Sequence, residues 1–87
     1  MRVKEGYILR EVANQYIVVP TGNRTLDFNG IINLNKSGKF LWENLLTDTT
    51  IDKLVSLLTC KYDVSIEVAT KDVNEFINNL NKHGILE

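Results

Sequence analysis

The spacing of apolar residues changes once along the chain and divides it into a strand-like first third and a helical remainder. Tyr7-Ile8-Leu9-Arg10-Glu11-Val12 and Gln15-Tyr16-Ile17-Val18-Val19 are rich in β-branched and aromatic residues, and only Ala13-Asn14 separates them. Such runs predict two strands joined by a short hairpin connection. Pro20-Thr21-Gly22-Asn23-Arg24 is a turn cluster that closes the second strand. After Leu26-Asp27-Phe28-Asn29-Gly30, a third short strand is expected at Ile31-Ile32-Asn33-Leu34. Three successive strands with short connections predict an antiparallel meander.

From Asn35 onward the period becomes helical. Asn35 is an expected N-cap, and Phe40, Leu41, Trp42, Leu45 and Leu46 mark a short, heavily apolar first helix. Thr47-Asp48-Thr49-Thr50 breaks it and supplies capping groups for the next. Ile51, Leu54, Val55 and Leu58 recur at i, i+3, i+4 and i+7, and Tyr62 carries that stripe one turn further. Asp63-Val64-Ser65 is a second break. In the final helix Ile66, Ala69, Val73, Phe76, Ile77 and Leu80 fall within about 100° of arc at 3.6 residues per turn. Gly84 is placed as a C′ glycine, Lys82 and His83 sit in the last turn, and Ile85-Leu86 is expected to tuck back as an apolar tail. The predicted fold is α+β and winged-helix-like: a three-stranded antiparallel sheet followed by three helices, in one domain over residues 1–87.

Composition narrows the classes of function. At 87 residues, with 44% hydrophobic and 24% charged, the chain has the balance of an ordinary globular protein. Cys60 is the sole cysteine, so no internal disulfide forms, and no cysteine–histidine cluster is present to hold a metal. The first residues do not read as a signal peptide, and no stretch approaches the roughly 20 apolar residues needed to cross a bilayer. A cytoplasmic location is the expectation. The net charge of −1 offers no polybasic anchor for a membrane and no basic excess for phosphates.

Catalysis requires convergent groups, and the sequence offers none. His83 is alone beside Gly84 at a helix end, and Cys60 lies opposite the apolar stripe of its own helix. Asp48, Asp52, Asp63, Glu67, Asp72 and Glu75 are scattered and read more simply as caps and solvated faces. The five glycines form no phosphate loop. No enzyme is expected, and two modes of binding remain.

In the first mode a winged helix enters DNA as a regulator. The last helix offers Lys71, Asn74, Asn78, Asn79, Asn81 and Lys82, but no arginine lies beyond Arg24. In the second, the third strand leaves an edge whose free N–H and C=O groups template another extended chain. Ile31-Ile32-Asn33-Leu34 carries no lysine, proline or charge of the kind that usually guards an edge. The plainer alternative is that the chain's own tail covers this edge. An open edge also permits pairing between two copies, so a homodimer is possible.

The residues resemble a known family. Ile17-Val18-Val19-Pro20-Thr21-Gly22, then Phe28-Asn29-Gly30-Ile31-Ile32-Asn33-Leu34-Asn35, then Gly38 and Leu41-Trp42-Glu43 are similar to the PqqD-like family. The similarity continues through Tyr62-Asp63-Val64, Asp72-Val73, Phe76, Leu80 and Gly84-Ile85-Leu86. Single motifs are weak, but the ordered set covers nearly the whole chain. The resemblance implies a precursor-peptide recognition element of ribosomally synthesised, post-translationally modified peptide pathways, with no cofactor of its own. It implies an unstructured leader peptide added as a strand against the third strand, facing the third helix. It also implies presentation to a partner, commonly a radical S-adenosylmethionine enzyme, or a leader peptidase or cyclase, with no nucleic acid. Carried onto this sequence, the strand-pairing residues are Ile31, Ile32, Asn33 and Leu34. The helical wall draws on Val73, Phe76, Ile77 and Leu80, with Asp72 and Asn79 as flanking polar candidates. Periodicity leaves open which side of that helix faces the groove, and each apolar member is equally a core candidate.

Overall fold

A computed structural model of the chain describes residues 1–21 and 32–87. The turn residues Gly22–Arg24, the 26–30 segment and Ile31 fall outside that range. Strand β1 spans Tyr7–Val12, β2 Gln15–Pro20 and β3 Ile32–Leu34. Helix α1 spans Lys36–Asn44, α2 Ile51–Lys61 and α3 Ile66–Lys82. The sheet is antiparallel in the order β1-β2-β3, with Tyr7 opposite Pro20, Val12 opposite Gln15, and Val18 opposite Ile32. The predicted α+β class, three antiparallel strands followed by three helices, is therefore the observed one.

The local signals explain the element boundaries. Ala13 and Asn14 both have positive φ, 52° and 66°, as a two-residue primed turn requires. A helix leaves its first N–H groups without partners, and each of the three helices answers with an oxygen from its N-cap. Asn35 Oδ1 accepts from Gly38 N at 2.8 Å, Thr50 Oγ1 from Lys53 N at 3.2 Å, and Ser65 Oγ from Val68 N at 3.2 Å. Helix α3 ends at His83 with Gly84 at φ 68°. There Ile85 N reaches Leu80 O and Gly84 N reaches Asn81 O, both at 3.0 Å, the paired bonds of a Schellman cap. Leu80 and Ile85 supply its apolar contact, and both are fully buried.

One core forms between the inner face of the sheet and the three helices. Val18, Ile32 and Leu34 from the sheet meet Leu41, Trp42 and Leu45, Leu54 and Leu58, and Ala69, Val73, Ile77 and Leu80. Two apolar residues of the expected stripes stay outside it: Leu46 is 56% exposed and Ile66 is 71% exposed. Leu46 follows the C-cap of α1, and Ile66 is the first residue of α3, so neither lies over a packed turn.

The C-terminal tail does tuck back, and its partner is the N-terminal segment. Val3 bridges Leu86, Lys4 N donates to Ile85 O at 2.8 Å, and Glu87 N to Arg2 O at 2.8 Å. Arg2 Nε meets Glu87 Oε2 at 2.6 Å, and the Met1 ammonium meets Asp48 Oδ1 at 2.6 Å. That ammonium holds the Asp48 carboxyl below its ordinary range, first by the hydrogen bond and then by its charge.

Helix α1 enters the sheet closely at Gly38. A Cβ there would stand 3.2 Å from both Asn35 Oδ1 and Leu34 Cβ, atoms fixed by a cap and a strand. Gly38→Val is expected to cost about 1–3 kcal/mol through overpacking, measured as a lowered midpoint in urea denaturation.

Candidate peptide-binding edge and groove

The direction in which β3 presents its backbone follows from the hairpin. In an antiparallel pair, facing residues alternate between exchanging both backbone hydrogen bonds and exchanging none. Thr21 N donates to Gly6 O at 2.7 Å, one step beyond the Tyr7–Pro20 pair. The hydrogen-bonded pairs of β1 and β2 are therefore Ile8–Val19, Arg10–Ile17 and Val12–Gln15, the last closing the two-residue turn. Tyr16 and Val18 must then turn their N–H and C=O groups the other way, toward β3. Their partners are Leu34 and Ile32, so the backbones of these two residues are used inside the sheet. Asn33, opposite Ile17, points its N–H and C=O outward.

No described strand pairs with that outer edge. The C-terminal tail, the obvious cover, is engaged with residues 2–4. The edge of β3 faces a groove of about 500 Å³ whose wall includes Asn33, Leu34, Gly38, Phe76 and Asn79. Past Asn35 and Gly38 the groove continues along α3, where Asp72 and Glu75 line a section of about 360 Å³ with Phe76 and Asn79. A further hollow of about 450 Å³ lies between Asp72 and Leu58, Tyr62 and Val64.

The structure sorts the sequence-predicted residues into two groups. Asn33, Leu34, Phe76 and Asn79 meet at one groove, with Asp72 in its continuation. Val73 and Leu80 are fully buried and Ile77 is 5% exposed, so this stripe of α3 serves the core. Ile32 is 3% exposed and likewise directs its side chain inward. The groove wall is the neighbouring stripe at 72, 75, 76 and 79, which shares the i, i+3, i+4, i+7 spacing. Phe76 sits at the border of the two and touches both core and groove. Several lining residues escaped the sequence reading, among them Asn35 and Ser37 at the start of α1. Glu75 stands on the polar side of that stripe, and Gln15 ends β2 beside Asn33. Their spacing from Asp72, Asn79 and Tyr16 was the available signal. Gly38, read as a packing residue, is both: its missing side chain admits α1 to β3 and leaves a gap in the groove wall.

Groups with reactive chemistry lie apart from this groove. His83 Nδ1 sits 2.9 Å from Asn79 O on its own helix, and Cys60 is exposed on α2. Among the described residues no three His, Cys, Asp or Glu side chains gather as metal ligands, and no helix is long and apolar enough to cross a membrane.

A three-stranded sheet whose β3 edge pairs with no described strand, followed by three helices, defines a winged-helix-like fold. Residues 15–86 match the family described as coenzyme PQQ synthesis protein D (PqqD), and the chain belongs to that family. Over its full length it also superposes on 95% of the chain solved as TbiB1 in complex with the TbiA(beta) leader peptide, with a TM-score of 0.76 and 15% identity. No curated protein matches it in sequence.

The two strand positions should respond differently to proline. Ile32→Pro removes a donor used between β2 and β3 and strands a buried carbonyl, costing about 1–3 kcal/mol. Asn33→Pro removes only an outward donor, so its denaturation midpoint is expected to fall by less.

Proposed function

We propose that this chain binds the leader segment of a ribosomal precursor peptide by strand addition to β3 and presents it to a separate modifying enzyme. The observation that carries the reading is the outward N–H and C=O of Asn33, aligned along a groove walled by Phe76 and Asn79. Membership of the PqqD family supports it, as does a fold shared with a protein solved on its leader peptide.

The alternation of a strand then dictates how a leader is read. The leader residue opposite Asn33 exchanges backbone hydrogen bonds with it and turns its own side chain to the outer face. Its two neighbours turn inward, toward Leu34, Gly38 and Phe76. Backbone bonds supply affinity for any extended segment, and the inward pair supplies selection. Of the ten predicted site residues, Asn33, Leu34, Phe76, Asn79 and Asp72 are the contacts in this reading. Ile32, Val73, Ile77 and Leu80 support them from the core.

The chain acts as a chaperone for its peptide and not as an enzyme. Holding the leader converts modification of the attached core into an intramolecular encounter, at an effective concentration in the mM range for a short flexible linker. Ordering a flexible leader costs about 2–5 kcal/mol, which is compatible with micromolar affinity. The partner is a radical S-adenosylmethionine protein or a leader peptidase or cyclase acting in the cytoplasm. A DNA-binding role is not favoured: with a net charge of −1 the chain lacks the basic excess that phosphate contacts require.

Titrating isotope-labelled protein with its leader peptide is expected to shift the amide signals of Asn33, Phe76 and Asn79 ahead of those on α2. Asn33→Pro should weaken leader binding at least tenfold while the protein stays folded. Normal affinity in that folded variant would end the strand-addition reading.

A further inference from the structure

The groove beside β3 does not end with the strand. The section at Asn33 and the next one along α3 have Asn35, Gly38, Phe76 and Asn79 in common. That second section shares Asn35, Ser37 and Asp72 with the hollow at Leu58, Tyr62 and Val64, so the three form one path. The two later sections differ in chemistry. The charged lining of the middle one is Asp72 and Glu75, and among the described residues neither carboxylate takes part in an ion pair. The last one reaches the core. Leu58 is a buried core residue, and the Tyr62 ring is held edge-on against Phe40 with centroids 5.9 Å apart. Val64 beside them is 36% exposed, and Val68, one turn before Asp72 on the same stripe of α3, is 49% exposed. Neither valine belongs to the core, and the charges of Lys36 and Asp72 offset each other around this hollow.

We propose that the chain selects leaders carrying a basic side chain and then a bulky apolar one beyond the segment paired with β3. The cation lies against Asp72 and Glu75, and the apolar group enters the hollow at Leu58. The inference rests on strand addition at β3 and names the leader chemistry that this site takes. Strand β3 has three residues, so an added chain outruns it quickly and meets the rest of the path. Asn79 and Asp72 are roughly two turns of helix apart, about 10 Å at 1.5 Å per residue, which about three extended residues cover. The apolar anchor therefore follows the paired segment closely, with the cation between them. A narrow path open to solvent along its length suits a single extended chain, whereas the surface of a folded partner would bridge its sections and leave them empty. Opposite charge in the middle section and apolar contact at its end then separate one leader from another, a choice that backbone bonds at β3 cannot make.

The test uses the full chain and the fluorescein-labelled leader peptide encoded beside it, with binding read by anisotropy. Glu75→Lys and Val64→Asn change side chains outside the core, and a urea midpoint checks that each variant folds. Glu75→Lys is expected to weaken leader binding at least fivefold, and Val64→Asn at least threefold. The first loss should shrink as salt rises from about 0.05 M to about 0.5 M, because exposed charges are screened, whereas the second should persist. An alanine scan of the leader should find one basic residue whose replacement costs at least fivefold in the parent and less than twofold in Glu75→Lys. It should also find one bulky apolar residue whose replacement costs at least fivefold in the parent and measurably less in Val64→Asn. Unchanged affinity in either folded variant overturns the inference, as does a scan in which no basic or apolar residue beyond the paired segment matters. Variants that keep leader affinity but lose capture of the modifying enzyme give the hollow to that enzyme and equally overturn it. Asn33→Pro separates the two readings. If it alone weakens leader binding, strand addition stands and this extension fails; if it leaves leader affinity intact, strand addition itself is wrong.

Discussion

What the β3 edge can offer is decided two strands away, by the turn at Ala13-Asn14. A two-residue connection allows one pairing parity, with Val12 opposite Gln15 as a hydrogen-bonded pair. That parity propagates across β2, commits Tyr16 and Val18 to β3, and leaves Asn33 as the residue whose backbone faces out. A turn one residue longer would reverse it and aim Ile32 and Leu34 outward instead, because a single-step slip exchanges both side-chain faces and backbone directions. The buried positions of Ile32 and Leu34 enforce the same register from the other side, since shifting it would carry two core side chains into water.

The two edges of the sheet are treated differently. β1 carries Arg10 and Glu11, and charge on an edge strand discourages pairing with another chain. β3 presents Ile32, Asn33 and Leu34, with no charge and no proline. Its length is the counterweight. With three residues in the strand, the edge could hold only a short segment on the proposed reading, so affinity would have to be shared between backbone and groove. A peptide lacking the inward side chains would gain little from the ladder alone, which separates a recognition edge from an aggregation edge.

Most of the fold was legible because its signals are local. The order of the strands, the cap at Asn35, the capping break before α2, the glycine at 84 and the stripe from Ala69 to Leu80 each follow from spacing within about two turns of chain, whereas Pro20, read as part of the turn, is the last residue of β2. The site was legible only in part. The edge could be named from composition, but whether Ile32 or Asn33 faces outward depends on a parity set by a distant turn. The helix was harder still. Val73, Phe76, Ile77 and Leu80 form one apolar stripe by period, yet three are core and one is shared with the groove. Which flank of that stripe borders the sheet depends on how α3 crosses α2 and β3, a tertiary choice that no single-helix pattern encodes. Ile66 shows the converse: it obeys the period but sits at the helix start, with no packed turn beneath it.

Phe76 is where fold and recognition meet. Its side chain is half-buried, packed against the core on one side and lining the groove on the other. A residue wholly in the core would hold the wall but touch no ligand. One wholly exposed would move freely and lose entropy on binding. At the border, the core has already fixed the ring, so a side chain entering the groove would meet a surface ordered during folding. The same logic applies to Leu34, whose backbone is spent on β2 and whose side chain closes both core and groove. On the proposed reading, these side chains are already ordered by the core, so the ordering cost of binding would fall chiefly on the leader.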